Sequence, residues 1–174
     1  GLRNIDNIKK VLRAGADKVA INTAAIKNPK FISEAANRFG SQCIVISIEA
    51  KKVGDRKWEA YIDTGRESTG VDAIEWAHRA AELGAGELLI TSIDHEGTKK
   101  GFELDLMKEI SNKVPIPVIA CGGAGEKSDF TKLFNLANVE AASCASVLHY
   151  DIISLSEIKQ ELNEKSIPVR ITNE

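Results

Sequence analysis

Apolar residues recur along this chain in stripes of helical spacing, and short continuous apolar runs separate the stripes. Each of three stripes follows a polar capping residue and stops at a glycine, which are the usual signals for the two ends of a helix. These signals predict helices at about 4–15, 28–40 and 72–84, and weaker stripes predict further helices at about 104–112, 127–134 and 154–164.

The apolar runs between the helices predict five strands, at about 18–21, 43–48, 88–90, 116–120 and 141–147. These runs lack a regular alternation of apolar and polar residues, which is typical of parallel strands that are buried on both faces. Because helices and strands follow each other in turn, the pattern predicts an α/β fold built from βα units. The segment 51–67 interrupts this order, and its Gly54-Asp55 turn predicts a small hairpin.

Length and composition narrow the class of protein. The chain has 174 residues, of which 43% are hydrophobic and 28% are charged, as expected for one globular domain. A net charge of −2 gives no general signature of nucleic-acid binding, and we expect neither a membrane-spanning run nor a signal peptide. Three cysteines without a CxxC spacing predict reduced thiols in a cytoplasmic protein.

The residues that follow the predicted strands are the candidates for function, because sites in parallel α/β folds lie at the carboxyl ends of the strands. The segment Cys121-Gly122-Gly123-Ala124-Gly125 follows the fourth strand, and Ala145-Ser146 ends the fifth. Such small residues let backbone N–H groups approach an anion, and the N-terminus of a following helix adds a favourable dipole. The pattern therefore predicts a phosphate site, with a simple tight turn as the alternative.

Glu49 is the candidate for catalysis. It ends the apolar strand sequence IVISIE, where a carboxylate is costly unless it is paired or used. We interpret it as a general acid or base whose pKa is set by the end of the strand. A salt bridge to Lys51 or Lys52 is the alternative.

Acidic residues also flank His95, in the loop after the third strand. The spacing of Asp94, His95 and Glu96 matches no recognised metal site, so we expect neither a metal nor a cofactor here. Solvation at the surface is the alternative interpretation of His95 and Glu96.

Five stretches of the chain together resemble a known enzyme family. The stretches are GADKVAINTAA, FGSQCIVISIEAK, TGVDAIEWAHRAAELGAGELLITSIDHEGTKKGFE, IPVIACGGAG and ASVLH. They resemble the cyclase subunit of imidazole glycerol phosphate synthase, an enzyme of histidine biosynthesis. The resemblance implies a (βα)8 barrel with two phosphate sites. It also implies a glutaminase subunit as partner, whose ammonia passes through the barrel to a phosphorylated, formimino-linked ribulosyl nucleotide.

The resemblance also implies roles for individual residues. Glu49 takes the place of the family's second catalytic carboxylate. Asp17, Lys18 and Glu87 match the ammonia entrance and the glutaminase-facing surface. Phosphate or substrate binding is implied for Asn22, Thr23, Thr91, Asp94, Glu96, Gly97, Cys121, Gly122, Gly123, Ala145 and Ser146.

Three positions depart from the family pattern. Glu49 and Glu96 stand where the family usually has Asp, and Cys121 stands where Ser is usual. The two lengthened carboxylates leave a second interpretation open, a related barrel cyclase of surface-sugar biosynthesis. A phosphate-binding half barrel without catalysis is a third.

The start of the chain changes the expected architecture. Gly1 resembles the last glycine of the family's GGG turn after strand 3, and a complete barrel needs about 250 residues. The expected fold is therefore a partial TIM barrel of about strands 4–8 with their helices and a small hairpin insertion, in a single domain over 1–174. Such a chain is expected to be inactive alone, because it lacks the strand-1 Asp, and to self-associate through open barrel edges.

Overall fold

Helices and strands alternate along the chain in the computed structural model, which describes residues 1–170. The strands are β1 (Val19–Ile21), β2 (Ile44–Gly54), β3 (Lys57–Ile62), β4 (Glu67–Asp72), β5 (Glu87–Ser92), β6 (Val118–Cys121) and β7 (Ala141–Ser143). The α-helices are α1 (Ile5–Arg13), α2 (Thr23–Lys27), α3 (Lys30–Phe39), α4 (Ala73–Glu82), α5 (Leu104–Lys113), α6 (Lys127–Leu136), α7 (Ser146–His149) and α8 (Leu155–Glu164).

All strands in the described part of the chain belong to one seven-stranded mixed sheet. Strands β1, β2, β5, β6 and β7 run parallel to one another, as the helical connections require. The strand β2 is long enough to pair with β1 over its first residues, 44–46, and with the antiparallel β3 over its last, 49–54. The hairpin β3–β4 therefore continues the sheet beyond the point where β1 ends.

The α/β class agrees with the sequence prediction, but the expected partial barrel of about five strands with a separate hairpin insertion is wrong. The described residues form seven strands in one sheet, and the hairpin strands are members of that sheet. The physical reason is the length of β2, which has 11 residues where the apolar run predicted six. Its polar second half, AKKVG, carries the backbone hydrogen bonds that hold β3.

The two faces of the sheet differ in burial. In β5, residues 88, 90 and 92 are buried whereas 87, 89 and 91 are partly exposed, and β6 alternates in the same way. One face of the sheet packs against helices, and α3, α4 and α5 supply buried apolar side chains to the core that forms there. The prediction that both faces are buried is therefore wrong, and the partly exposed face is free to carry polar side chains.

Six of the helices lie where the apolar stripes predict them. Asn4 and Asp72 cap α1 and α4, because each side chain accepts a hydrogen bond from the first turn. The short helices α2 and α7 were not predicted, and α7 replaces the second half of the strand expected at 141–147. None of the helices described is long and apolar enough to cross a bilayer.

Candidate active site

One row of polar side chains crosses four parallel strands at the carboxyl edge of the sheet. In the strand register, Glu49 of β2 lies opposite Thr91 of β5, Thr91 opposite Cys121 of β6, and Cys121 opposite Ser143 of β7. Since side chains alternate between the two faces along each strand, registered partners point to the same face. The row therefore brings three predicted site residues and Ser143 together on the partly exposed face.

A small cleft lies where this row meets the ends of β6 and β7. It has a volume of about 40 Å³, which is room for roughly three waters or one tetrahedral oxyanion. It is lined by Glu96, Gly97, Cys121, Gly122, Gly123, Ala124, Ser143, Cys144, Ala145 and Ser146. The cleft thus collects the two small-residue segments that the sequence singled out, 121–125 and 145–146, together with the loop after β5.

Backbone N–H groups are the main hydrogen-bond donors of this cleft. Among the residues that the structure describes, the N–H groups of Gly123, Ala124 and Ser146 donate to no protein atom. By contrast, the N–H groups of Gly125 and Glu126 both donate to the Asp129 carboxylate, at 2.9 and 3.0 Å. The donors left for an anion are therefore those at the inner end of the glycine segment and at the start of α7.

The glycine at position 123 is required by a close approach of two backbones. Its φ is +106°, and a Cβ added there would lie 2.1 Å from the carbonyl oxygen of Gly101. In return, the N–H of Gly101 donates to the Gly123 carbonyl at 2.8 Å. The β5–α5 loop is thus packed directly against the glycine segment, and any side chain at position 123 would push the two apart.

The surroundings of one thiol in the cleft favour its protonated form. Burial raises the pKa of the Cys144 thiol, and the nearby Cys121 raises it further. A protonated thiol is a weak donor and does not repel an anion. The cleft therefore keeps the positive character that its N–H groups give it on the side of β6 and β7.

Glu49 lies further along the row, in a setting that favours its protonated form. Partial burial raises the pKa of this carboxyl, and repulsion from the Asp63 carboxylate raises it further. Its Oε2 atom is buried without a hydrogen-bond partner among the described residues. A general acid must hold a proton before it donates one, so these surroundings suit that role.

The salt bridge considered as an alternative for Glu49 does not form. The Lys51 ammonium lies over the Tyr61 ring, 5.6 Å from its centre, and the Lys52 ammonium lies 5.5 Å from the centre of the Trp58 ring. Within residues 1–170, no basic side chain comes within 4 Å of the Glu49 carboxylate. The lysines instead pack on the hairpin, whose aromatic rings attract cations.

Three other predicted site residues lie beside the hairpin instead of in the cleft. The amide of Asn22 donates to the carbonyl of Tyr61 at 3.2 Å, and the Thr23 hydroxyl accepts from the N–H of Asp63 at 3.2 Å. The carboxylate of Asp94 accepts from the N–H of Lys52 at 2.7 Å. Asn22 and Thr23 are thus separated from the cleft along the same edge of the sheet, on the far side of Glu49.

The residues expected at the ammonia entrance lie at the opposite edge of the sheet. Lys18 precedes β1, Glu87 begins β5, and their side chains form an ion pair. Thr91 lies four positions after Glu87 along β5, which corresponds to about 13 Å along the strand. Asp17 is exposed next to Lys18. The ion pair and the polar row therefore occupy the two ends of the strands.

Comparison with known proteins adds to this geometry. A family model described as histidine biosynthesis protein matches residues 1–154. Imidazole glycerol phosphate synthase subunit HisF of Hydrogenobaculum sp. (strain Y04AAS1) is 52% identical over 171 residues, which are 98% of this chain and 68% of that protein. The HisF subunits of Bacillus cereus strains ATCC 10987 / NRS 248 and Q1 are each 48% identical over the same shares.

The chain belongs to the histidine biosynthesis protein family. The resemblance to the cyclase subunit is thereby confirmed, and with it the assignment to an enzyme of the lyase class that closes a ring in histidine biosynthesis. Neither the surface-sugar cyclase nor the half barrel without catalysis is favoured by these relatives. The alternating strands and helices are consistent with a TIM barrel.

The alignment with family members also bears on the architecture. It spans 171 of the 174 residues, so the hairpin β3–β4 lies within the part shared with HisF subunits and is not an insertion peculiar to this chain. Together with the seven-stranded sheet, this finding shows that the expected five-stranded section of a barrel, with the hairpin as an insertion, is wrong.

Several residues of the candidate site could not be found from the sequence. Ser143 and Cys144 line the cleft because β7 ends four residues earlier than its apolar pattern indicated. Asp63 affects Glu49 through the fold of the hairpin, which no local pattern reveals. The signal that could have found Ser143 is its place in the row, one strand beyond Cys121, which needs the strand register.

Proposed function

We propose that the cleft between 121–125 and 145–146 binds a phosphate group of the substrate of imidazole glycerol phosphate synthase. The observation that carries this proposal is the set of unbonded N–H groups of Gly123, Ala124 and Ser146 around a space of about 40 Å³. Backbone N–H groups at turns and helix starts are common phosphate ligands. The Glu96 carboxylate and the Gly97 backbone border the same space. The carboxylate can accept a hydrogen bond from a substrate hydroxyl group, and the backbone N–H can donate one to it.

Asn22 and Thr23 serve the other phosphate end of the substrate in this proposal. They lie at the carboxyl edge beside the hairpin, on the far side of Glu49 from the cleft. A substrate with a phosphate at each end would then pass over Thr91 and Glu49, which are partners in the register of β2 and β5. Asp94 holds the start of the hairpin through the N–H of Lys52 and so shapes the middle of this path.

Glu49 acts in the proposal as the general acid or base of ring closure. Ammonia attacks the formimino-linked ribulosyl nucleotide, which yields imidazole glycerol phosphate and an aminoimidazole carboxamide ribotide. The raised pKa of Glu49 favours the protonated carboxyl, which can transfer its proton to the reacting atoms and take one back. Its extra methylene, relative to the Asp usual in the family, extends the carboxyl further over the row.

A glutaminase subunit supplies the ammonia in this proposal. Asp17 faces that partner, and the Lys18–Glu87 ion pair stands at the entrance, at the end of the strands opposite to the polar row. Ammonia that enters there travels about 13 Å along the strands to reach the level of Thr91.

We further propose that the chain is one domain and acts in the cytoplasm. The buried side chains of the described residues form one continuous apolar cluster, to which each helix from α1 to α8 contributes. Cys43, Cys121 and Cys144 are free thiols in the described structure, as a reducing compartment would keep them.

The test is ammonia-dependent turnover by the full-length protein, measured for Glu49→Gln. We expect kcat to fall by a factor of about 10² to 10⁴, which is the usual contribution of a general acid or base. The matched control is Glu59→Gln, which removes a carboxylate from the neighbouring strand β3 and should leave kcat within about twofold. Turnover by Glu49→Gln at the level of the control would contradict the proposed role of Glu49.

A further inference from the structure

His95 makes two polar contacts that tie the β5–α5 loop together. Its Nδ1 atom lies 2.7 Å from the carbonyl oxygen of Gly101, and its Nε2 atom lies 3.2 Å from Oε2 of Glu103. The Glu103 side chain is only 11% exposed and the His95 side chain 28%. The ring thus bridges two parts of one loop from a largely buried position.

Both partners of the ring are hydrogen-bond acceptors. A carbonyl oxygen accepts only, and an ionised carboxylate accepts only. A neutral imidazole carries one N–H and can satisfy one of the two, whereas the imidazolium carries two and satisfies both. The arrangement around His95 is therefore complete only when the ring is protonated.

Gly101, whose carbonyl oxygen contacts His95, is also hydrogen-bonded to the proposed phosphate segment, 121–125. Gly101 accepts from His95 through its carbonyl and donates through its N–H to the Gly123 carbonyl at 2.8 Å. A Cβ added at Gly123 would lie 3.0 Å from the Cβ of His95, so the ring also starts next to the segment. A shift of the loop would move the Gly123 peptide and the N–H groups that follow it.

We propose that His95 is a positioning residue for the phosphate cleft: its imidazolium, bridging Gly101 and Glu103, holds the β5–α5 loop against the glycine segment. The inference rests on the proposed phosphate site and deepens it. Phosphate binding is tightest when His95 is protonated, and it weakens when the ring loses the N–H that serves Glu103.

Acidic side chains lie around the ring on several elements, and its own loop also carries Lys99 and Lys100. Glu103, at the start of α5, faces the ring directly. Asp94 and Glu96 flank it on its own loop, with Asp94 held by β2 and Glu96 on the cleft. From α6, Asp129 reaches the neighbourhood of Gly101.

The test is calorimetric titration of the full-length protein with inorganic phosphate, at pH 6 and pH 9. The quantity compared is the ratio of Kd between variant and wild type, because this ratio cancels the titration of phosphate itself. For His95→Ala we expect a ratio of about ten at pH 6, in line with loss of a charged hydrogen bond, and of less than about three at pH 9. A loss of volume alone would give the same ratio at both values of pH.

Two further variants keep the test decisive if His95→Ala folds poorly. Glu103→Gln keeps the shape of the carboxyl and removes its charge, so it should weaken phosphate binding at pH 6 and reduce the additional effect of His95→Ala. His78→Ala is the matched control, because His78 and Glu82 form a second His–Glu pair, 3.8 Å apart on α4 and away from the cleft. It should leave phosphate binding unchanged.

The possible failures are distinguishable. If wild type binds phosphate in the cleft but His95→Ala and Glu103→Gln match His78→Ala, or their ratios do not change with pH, the role of His95 is overturned and the phosphate site stands. If wild type binds no phosphate in the cleft, the phosphate site is overturned, and the role of His95 with it.

Discussion

At the scale of single residues, two carboxyls on neighbouring strands show how surroundings set a proton affinity. Burial and the Asp63 carboxylate raise the pKa of Glu49 on β2. On β3, hydrogen bonds from the Ser68 hydroxyl and the N–H groups of Gly70 and Thr69 lower the pKa of Glu59. The surroundings of Glu49 therefore favour the protonated carboxyl, whereas Glu59 accepts hydrogen bonds from β4 as a carboxylate.

Glu49→Gln should therefore change stability with pH in a defined direction. Below the usual carboxyl pKa of 4.5, Glu49 is protonated in both the folded and the unfolded chain. Between that value and the raised value of the folded state, the folded chain binds more protons, so stability falls as pH rises. Glu49→Gln removes this loss, and urea unfolding should show it to be more stable than wild type at pH 8 but not at pH 4.

Glu59→Gln should behave in the opposite way. Its lowered pKa stabilises the folded chain above pH 4.5, and this contribution is lost as pH falls through the folded value. The variant should be less stable than wild type at pH 8, with a smaller difference at low pH. Equal pH profiles for the two variants would contradict the environments assigned to these carboxyls.

Cys121→Ser should tighten phosphate binding. The hydroxyl is a better donor than the thiol, and one neutral hydrogen bond contributes about 1 kcal/mol, or roughly a fivefold change in Kd. The control is Cys43→Ser, which changes a thiol near the start of β2 and away from the cleft. Calorimetry that finds no difference between the two variants would show that position 121 does not face the bound phosphate.

At the scale of elements, the start of α6 separates a structural use of backbone N–H groups from a binding use. Asp129 accepts from the N–H groups of Gly125 and Glu126, and it is itself buried. These two N–H groups are satisfied within the start of the helix, whereas those of Gly123 and Ala124 stay available to a ligand. The glycine segment therefore has a fixed outer end and an open inner end.

Asp129→Ala should destabilise the protein by about 1–2 kcal/mol, because it leaves two N–H groups without their acceptor. The comparison is Asp105→Ala in the first turn of α5, which removes an exposed charge and no capping bond, and should cost less than about 1 kcal/mol. Chemical denaturation measures both. Equal losses would mean that Asp129 contributes only its charge.

Local signals were sufficient to predict some elements and not others. The stripes and caps predict α1, α3 and α4 because the signals for a helix lie within the helix itself. They do not predict the extension of β2 or the end of β7, because those depend on pairing with β3 and β6. In the same way, the glycine segment is visible in the sequence, whereas the His95–Glu103 pair and the row through Ser143 depend on tertiary contacts.

At the scale of the whole molecule, two groups of polar side chains lie at opposite ends of the parallel strands. The polar row and the cleft lie at the carboxyl edge, and the Lys18–Glu87 ion pair lies at the amino edge. In a parallel sheet all carboxyl ends meet at one edge, so this division follows from the topology. Under the proposed function, a partner docks at one end and the substrate binds at the other.

Asp17→Ala should therefore lower the ratio of glutamine-driven to ammonia-driven turnover in the complex with the glutaminase subunit. The side chain is exposed at the amino edge, far from the cleft, so its loss affects delivery from the partner more than ring closure. Steady-state assays with each nitrogen source measure the ratio. Asp6→Ala, which removes an exposed acid from α1, is the control, and an equal ratio for the two would contradict a partner surface at Asp17.

Phosphate binding at the glycine segment is the central claim, and a titration followed by amide NMR tests it most directly. Inorganic phosphate should shift the backbone resonances of Gly123, Ala124 and Ser146. Gly123→Ala, which forces a side chain against the Gly101 carbonyl, should weaken binding at least about tenfold. Gly70→Ala places a methyl at a similar positive φ in open space and should not weaken it. Shifts confined to other amides, or equal affinities for the two variants, would contradict the claim.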